Sequence, residues 1–400
     1  MIAHSTLWRD AVLLLAAAPL IYYALAAIAA LRFFRQARAR VPSNYTPSVS
    51  VLKPVRGVDF GSYENFASFC RQEYPDYEIL FAVNDDADPA LPVIQKISAD
   101  FPERRIHLLV GAEHLGANRK VNKLARLIQE AQNEVLVLTD GDVRVGPRFL
   151  LEVVAPLADR NTGAVTSFYR GIAEQNLGAE IEAIGASSDF FAGVLMAAWM
   201  EGISFALGAS IATTKEWLKK MGGFEAIADT LADDYELGNR IAKAGGQIVL
   251  SPEPVWTMYP AQTFRSFWDH QVRWARTVRL CRPLSYVGLL FTQGLPWSLL
   301  AALVAPVKWI AGVYLLAYLI LRIAMAWTVG IWGVGDEILR RKIWLVPLRD
   351  AIHFVIWLAS FGSNRIRWGN VEYLIRQGRM VPIAGGQRST AKPAEDAPRS

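Results

Sequence analysis

The chain has 400 residues, more than one compact core usually needs, so we expect at least two structural units. A mean hydropathy of +0.21 is high for a soluble enzyme, whereas a charged content of 20% excludes a chain that lies wholly in lipid. The net charge of +5 suits anionic phosphates or an anionic membrane surface, but no basic patch is interleaved with aromatic residues, so we expect no nucleic-acid partner. With only Cys70 and Cys281, a disulfide framework and a thiolate metal site are excluded.

The first predicted element is an apolar helix from Ala11 to Leu31, long enough to cross a bilayer. A basic flank follows it at once: Arg32, Arg35, Arg38 and Arg40. A cleaved signal sequence carries its positive charge before the apolar stretch, so the reversed order favours a retained anchor. The positive-inside rule predicts that the residues after Leu31 face the cytoplasm.

The middle of the chain, from about residue 48 to residue 260, has the pattern of an α/β domain. Five apolar runs predict strands: SVSVLKPV, YEILFAVND, IHLLVG, EVLVLTDGDV and GAVTSFY. Helical spacing between them predicts helices over Tyr63 to Gln72, Leu91 to Phe101 and Lys120 to Ala131. This alternation predicts a largely parallel sheet, whose ligands bind beyond the carboxyl ends of its strands.

After Arg279 three mostly apolar segments follow: Leu284 to Val307, Trp309 to Val334 and Ile343 to Phe361. Two are long enough to span a membrane. The last contains Arg349, Asp350 and His353, and we leave open whether it spans or lies at the interface. The predicted division is a membrane helix with its basic flank (1–40), a catalytic domain (41–282), C-terminal membrane helices (283–382) and a disordered tail (383–400).

The strongest local signal is Asp140-Gly141-Asp142 at the end of a buried strand. Alternate strand residues point the same way, so both carboxylates can face one divalent cation or one ribose diphosphate. The alternative is a simple turn, because Asp and Gly are also the residues that turns favour.

Another acidic cluster, Asn84 to Asp88, follows the second strand and includes Asp85 and Asp88. These carboxylates can accept hydrogen bonds from a nucleotide, or Asp88 can cap the helix that begins near Pro89. In the GANRKVNK stretch, Lys120 can bind phosphate, or it can belong to a solvated basic helix start.

The third cluster is Asp233-Asp234-Tyr235. One of its carboxylates can act as a general base that removes a proton from an acceptor hydroxyl. The alternative is a residue that only starts the helix predicted from Tyr235 to Ala242.

The fourth cluster, His270-Gln271-Val272-Arg273-Trp274, precedes the C-terminal apolar segments. Arg273 can pair with a diphosphate, and Trp274 can form a pocket wall or sit at the membrane interface. Arg276 and Arg279 continue the basic stripe and can instead anchor the helix to acidic lipid headgroups.

The order of these motifs resembles the ceramide glucosyltransferase family, whose pattern is D, D, D, (Q/R)xxRW. The first aspartate falls on Asp88 with Asp85 beside it, the second on Asp140, the third on Asp234 and the RW pair on Arg273 and Trp274. The blocks SVLKPVRGVD, GANRKVNKL and GGF also resemble this family. One departure is His270 at the first position of (Q/R)xxRW, where an imidazole would have to replace the usual donor.

This resemblance implies a GT-A fold, a Rossmann-like mixed sheet that binds nucleotide sugars, combined with transmembrane and interfacial helices. It implies inverting transfer of a hexose, with glucose expected, from a UDP-sugar to a lipid such as ceramide. In this pattern Asp234 is the base, and Arg273, Trp274 and His270 complete the catalytic set. Asp85, Asp88, Lys120 and Asp140 would bind the nucleotide sugar, and Asp140 with Asp142 would hold Mg²⁺ or Mn²⁺. The expected location is the cell membrane, with several spans and a cytoplasmic catalytic domain.

Three alternatives differ from this interpretation. Hopanoid sugar transferases that add N-acetylglucosamine resemble the same pattern, so a hopanoid is a second candidate acceptor. A processive polysaccharide synthase would need more spanning helices and usually an unsubstituted QxxRW. A non-catalytic membrane scaffold is disfavoured because Asp140, Asp234 and Arg273 are all present.

Overall fold

An eight-stranded mixed sheet forms the centre of the protein in a computed structural model that describes residues 2–39, 43–368, 371–376 and 379–383. Its strands are Val49–Pro54 (β1), Tyr77–Val83 (β2), Arg105–Val110 (β3), Val135–Thr139 (β4), Val143–Arg144 (β5), Thr162–Ala173 (β6), Ser210–Thr214 (β7) and Gln247–Tyr259 (β8). They lie in the order β3-β2-β1-β4-β7-β6-β8-β5. Strands β1 to β4 are parallel, β7 runs antiparallel to both β4 and β6, and β8 is parallel to β6.

The five strands predicted from apolar runs are confirmed as β1, β2, β3, β4 and β6. Every residue of β1, β2 and β4 is buried, as expected for central parallel strands covered on both faces. Three further strands, β5, β7 and β8, had no clear apolar run. In β8, Pro252 and Pro254 interrupt the strand pattern, and proline normally argues against a strand interior.

The helices are Ile2–Arg38 (α1), Ser62–Cys70 (α2), Ala90–Asp100 (α3), Arg119–Glu130 (α4), Phe149–Val154 (α5), Leu177–Gly185 (α6), Phe191–Met200 (α7), Lys215–Lys220 (α8), Asp233–Lys243 (α9), Phe264–Cys281 (α10), Pro283–Gly288 (α11), Gly294–Val304 (α12), Lys308–Ala326 (α13), Glu337–Lys342 (α14) and Val346–Ser360 (α15). The three helices predicted between the first strands are confirmed as α2, α3 and α4, each within two residues of its expected bounds. Single π-helical segments, Ala186–Phe190 and Trp327–Val334, follow α6 and α13.

Four helices in the described part of the chain are long and apolar enough to cross a membrane: Leu7–Arg38, Leu177–Met200, Lys308–Val334 and Glu337–Ser360. A fifth candidate, Pro283–Thr292 with Gly294–Val304, is bent by 51°. The predicted N-terminal helix and the three C-terminal segments overlap these elements. The helix Leu177–Met200 was not predicted, because it lies inside the stretch interpreted as a soluble α/β domain.

The apolar helices and the sheet share one apolar core. Tyr23 and Phe34 of α1 belong to the same buried cluster as Val51 of β1 and Phe168 of β6. The ring centroids of Phe34 and Phe168 are 5.6 Å apart. The N-terminal apolar helix is therefore packed directly on the α/β domain.

The charged residues inside the apolar helices are paired with one another. Arg322 of α13 is 1% exposed and donates to both carboxylate oxygens of Asp350 of α15, at 2.8 to 3.1 Å. It also contacts Asp189 of the π-helical segment. The charges of the last apolar segment thus face the protein interior, where pairing offsets the cost of burying them.

The last strands that the structure describes form a small antiparallel sheet: Arg365–Trp368 (β9), Val371–Arg376 (β10) and Arg379–Pro382 (β11). This sheet falls in the region predicted to hold only membrane helices, so that expectation is too simple. Apart from Ile383, the tail predicted to be disordered lies outside the described residues, as does Arg40 of the basic flank.

Candidate active site

A cavity of about 230 Å³ lies at the C-terminal ends of β1 and β4, the sheet edge where such folds bind ligands. We call it the central cavity. Its lining combines residues 54–57 after β1, residues 140–142 after β4, the first residues of α4 and Tyr373 of β10. Of the acidic residues predicted at strand ends, Asp140 and Asp142 contribute to this concave surface.

Asp140 and Asp142 both line the central cavity. Burial and, after it, the negative charges of Asp140 and Asp59 together raise the pKa of Asp142 to about 7. Two carboxylates that repel each other in a half-buried cavity fit a divalent cation, which would relieve that repulsion. Within the described residues no set of three His, Cys, Asp or Glu side chains is arranged for a metal.

Lys120 lies at the centre of the acidic groups. Its Nζ is 2.6 Å from Asp140 Oδ1 and 3.3 Å from Asp233 Oδ2. Asn118 fixes the start of α4, because its side chain accepts hydrogen bonds from the backbone N–H groups of Lys120 and Val121. Burial alone would lower the pKa of Lys120, but the surrounding carboxylates outweigh burial and raise it, so this side chain stays cationic.

Two further lysines, neither of them predicted, adjoin the same cavity: Lys123 lines it, and Lys53 bonds to Asp140, which lines it. Lys53 of β1 is fully buried, and its Nζ donates to Thr139 Oγ1 at 3.0 Å and to the backbone oxygen of Asp140 at 2.8 Å. Burial lowers the pKa of Lys53 to about 7. Lys123 donates to the backbone oxygen of Val55 at 2.7 Å. A lysine inside the apolar run VLKPV is the sequence signal that would have identified Lys53.

Asp233 and Asp234 both lie in the first turn of α9. Asp233 accepts a hydrogen bond from Asn118 Nδ2 at 3.2 Å and pairs with Lys120. Burial and, after it, the negative charge of Asp233 together raise the pKa of Asp234 to about 6. Gly208 leaves room for this carboxylate, since a Cβ at that position would lie 2.8 Å from Asp234 Oδ2.

Asp85 and Asp88 are placed differently from the other acidic residues. Neither is among the described residues that line the central cavity. Asp85 is exposed and accepts a hydrogen bond from the Ala87 N–H at 3.0 Å. Asp88 is buried, and its Oδ1 accepts from the N–H groups of Gly57 at 2.8 Å and Ala90 at 3.0 Å. Asp88 thus supports the start of α3 and positions Gly57, which does line the cavity.

The cluster on α10 faces Glu182 of α6, a residue that the sequence did not single out. His270 Nδ1 is 2.6 Å from Glu182 Oε1, and Gln262 donates to Glu182 Oε2 at 2.7 Å. Burial lowers the pKa of Arg273, and the negative charge of Glu182 opposes this shift. Trp274 is 40% exposed and packs edge-on against Phe190.

Tyr169 of β6 is buried, and both groups of acidic residues influence its pKa. Burial raises its pKa, and the charges of Asp234, Glu182, Asp140 and Asp142 each raise it further. Charges from α6, α9 and the end of β4 therefore converge on one interior region. Arg273 belongs to the Glu182 side of this region and has no described contact with Asp140 or Asp234.

Comparison with known proteins gives a family and a fold. Residues 11–381 match glycosyl transferase family 21. Ceramide glucosyltransferase 1 of Caenorhabditis elegans is 25% identical over 236 residues, which cover 59% of this chain and 50% of that protein. A ceramide glucosyltransferase of Gibberella zeae is 30% identical over 134 residues, 31% of this chain and 25% of that protein. The chain thus aligns with half or less of the length of each of these two relatives.

Among solved structures, the mannosyltransferase PcManGT of Pyrobaculum calidifontis, in complex with GDP-mannose and Mn²⁺, matches with a TM-score of 0.51 and 18% identity. The match covers 87% of this chain and 99% of that one. It confirms the expected GT-A fold with its mixed sheet. Since the family match covers nearly the whole chain, this protein belongs to glycosyl transferase family 21.

Proposed function

We propose that the protein is a membrane-embedded hexosyltransferase that moves a sugar, glucose in our proposal, from a UDP-sugar to a hydroxyl of a ceramide-like lipid. The observation that carries this proposal is the convergence of Asp140, Lys120, Asp233 and Asp234 at one edge of the GT-A sheet. Membership of glycosyl transferase family 21 and the similarity to ceramide glucosyltransferases support the same reaction class.

The proposed reaction is a single displacement with inversion. The lipid hydroxyl oxygen forms a bond to the anomeric carbon while the bond from that carbon to the diphosphate oxygen breaks. Asp234 accepts the hydroxyl proton, and UDP leaves with the bonding electrons. A carboxyl group with a pKa raised to about 6 suits this role, because it is ionised at neutral pH and still basic enough to take a proton.

The donor is held, in this proposal, by the residues around the central cavity. Mg²⁺ or Mn²⁺, bound by Asp140 and Asp142, would neutralise charge on the diphosphate. Lys120 is cationic and would move from Asp140 to a phosphate oxygen as the donor enters. Arg273 and His270 would approach the leaving group from α10 together with Trp274. Asp88, through its bond to Gly57, and the exposed Asp85 would serve the uridine end.

The acceptor would enter from the membrane. In this proposal the apolar helices form several spans, and their packing on the α/β domain would bring the cavity near the lipid. We propose that the domain from residue 41 to 282 lies in the cytoplasm, because Arg32, Arg35 and Arg38 follow the first apolar helix.

The test is mass spectrometry of the lipids that the purified protein makes from a panel of UDP-sugars and lipid acceptors. We expect one hexose to be added to a ceramide-like lipid and to no other class. A glycosylated hopanoid would show that the acceptor is a hopanoid instead of a ceramide-like lipid, and a polymer would indicate a processive synthase. A protein that neither transfers nor hydrolyses any nucleotide sugar would contradict the proposal.

A further inference from the structure

The small sheet at the end of the chain places an aromatic side chain at the central cavity. Along β10, Tyr373 and Ile375 are buried while Glu372 and Arg376 are exposed, so alternate residues face the protein. Tyr373 is 6% exposed, belongs to a buried cluster with Ile366, Ile375 and Met380, and also lines the central cavity.

Backbone and side-chain bonds join this sheet to the elements that carry the acidic cluster. The Met380 N–H donates to the backbone oxygen of Asp229 at 2.8 Å, and Thr230 pairs with Arg379 as an isolated bridge. The Asp229 carboxylate in turn accepts from the Ala117 N–H at 2.9 Å. Ala117 lies just before α4, which carries Lys120, and residues 229–230 lie just before α9.

The other side of the sheet is attached to α10. Arg276 donates to the backbone oxygen of Arg365 at 2.8 Å, and Arg279 donates to that of Ser363 at 3.1 Å. Arg276 and Arg279 therefore bind the C-terminal segment. The sequence had suggested lipid headgroups as their alternative partners. The sheet thus bridges α10 and the starts of α4 and α9.

From this arrangement we infer that the C-terminal sheet forms part of the donor-binding site and that the Tyr373 ring contacts the bound nucleotide. The inference rests on the proposed function, since it takes the ligand of the central cavity to be a nucleoside diphosphate. An aromatic ring packs on a nucleobase or ribose without needing a specific hydrogen bond, whereas the carboxylates and lysines of the same cavity suit the cation and the phosphates.

The experiment measures UDP binding by titration calorimetry, with purified full-length protein in detergent and in the presence of Mn²⁺. Tyr373→Ala should weaken binding by roughly 10-fold, and Tyr373→Phe should bind within about 2-fold of the wild type because it keeps the ring. Val381→Ala is the matched control, because Val381 lies in the same sheet but is 43% exposed; it should bind as the wild type does.

Hydrogen exchange of the wild-type protein gives a second measurement that does not depend on a variant folding. Amides of residues 371–376 should exchange more slowly when UDP and Mn²⁺ are present. Unchanged exchange of residues 371–376, or equal UDP affinity of Tyr373→Ala and the wild type, would overturn the inference about Tyr373 but not the proposed function. A wild-type protein that binds no UDP would instead contradict the proposed function.

Discussion

The pKa of the Asp234 carboxyl group is set by its immediate surroundings. Burial and the neighbouring charge of Asp233 raise its pKa to about 6, while Lys120 lowers it. The first two effects disfavour the ionised carboxylate, and the ammonium group partly restores it. The result is a group that is ionised at neutral pH but accepts a proton more readily than an ordinary aspartate.

A pH profile tests this property. Because the folded-state pKa of Asp234 is raised, the carboxylate is protonated below about pH 6 and cannot act as a base there. We expect kcat/KM for transfer to be level near neutral pH and to fall about tenfold per pH unit below pH 6. Initial rates between pH 4.5 and 8 provide the measurement, and a rate that is flat down to pH 4.5 would remove Asp234 from the proton transfer.

The Asp140–Asp142 pair predicts metal-dependent nucleotide binding. Asp140→Ala should remove the metal-dependent part of UDP binding, because one of the two proposed ligands is lost. Calorimetric titration of UDP with Mn²⁺ and with EDTA measures this effect. Equal affinities of wild type and variant in both buffers would contradict the metal assignment.

For the candidate site, the sequence was better at identifying functional residues than at identifying the partners that those residues bind. The acidic residues of the DGD and DDY motifs could be identified because they follow apolar strand or helix patterns. Lys53 could be noticed only as a charge inside an apolar run, and its partner Thr139 lies 86 positions away. Glu182 has no such signal, and its partner His270 lies 88 positions away. Asp88 was predicted at the nucleotide, but its carboxylate bonds to Gly57, a contact that depends on how two loops pack.

Among the elements, the helix Leu177–Met200 connects the C-terminal apolar helices to the α/β domain. It carries Glu182, which contacts His270, and it continues through the π-helical segment with Asp189, which contacts Arg322. Its apolar run LGAEIEAIGASSDFFAGVLMAAWM was present in the sequence. The carboxylates within that run made it look like a soluble segment, because their partners on other helices were not visible.

The buried Arg322–Asp350 pair predicts a large loss of stability when one partner is removed. Asp350→Ala leaves the guanidinium of a 1% exposed arginine with fewer partners, so we expect about 3–5 kcal/mol of destabilisation. Denaturant unfolding in detergent micelles measures the free energy of unfolding.

Glu337→Ala is the control for this experiment. Glu337 pairs with Arg340, but both side chains are about 60% exposed, at 59% and 61%. Its loss should cost less than about 1 kcal/mol. Equal destabilisation by the two substitutions would show that the buried network has no special role.

At the scale of the whole molecule, the sheet, the first apolar helix and the C-terminal helices form a continuous structure rather than separate units. The α/β character, the parallel strands and the apolar segments were predicted because each has a local periodic pattern. The antiparallel β7 and the C-terminal sheet were missed, since their positions depend on pairing with distant parts of the chain.

The orientation in the membrane gives a prediction for the intact molecule. Protease added to intact cells should leave the domain from residue 41 to 282 uncut, and lysis should expose it to cleavage, because the arginines after the first helix favour the cytoplasmic side. Immunoblotting of the protein before and after lysis measures this difference. Cleavage of that domain in intact cells would reverse the proposed topology.

The most direct measurement of the central claim compares nucleotide binding and sugar transfer in Asp234→Asn. The amide keeps the size of the side chain but cannot take the acceptor proton, so UDP should bind nearly as tightly as to the wild type while lipid product disappears. Calorimetry measures the UDP affinity, and mass spectrometry of the same preparation measures the amount of lipid product. Full transfer by Asp234→Asn would contradict the account.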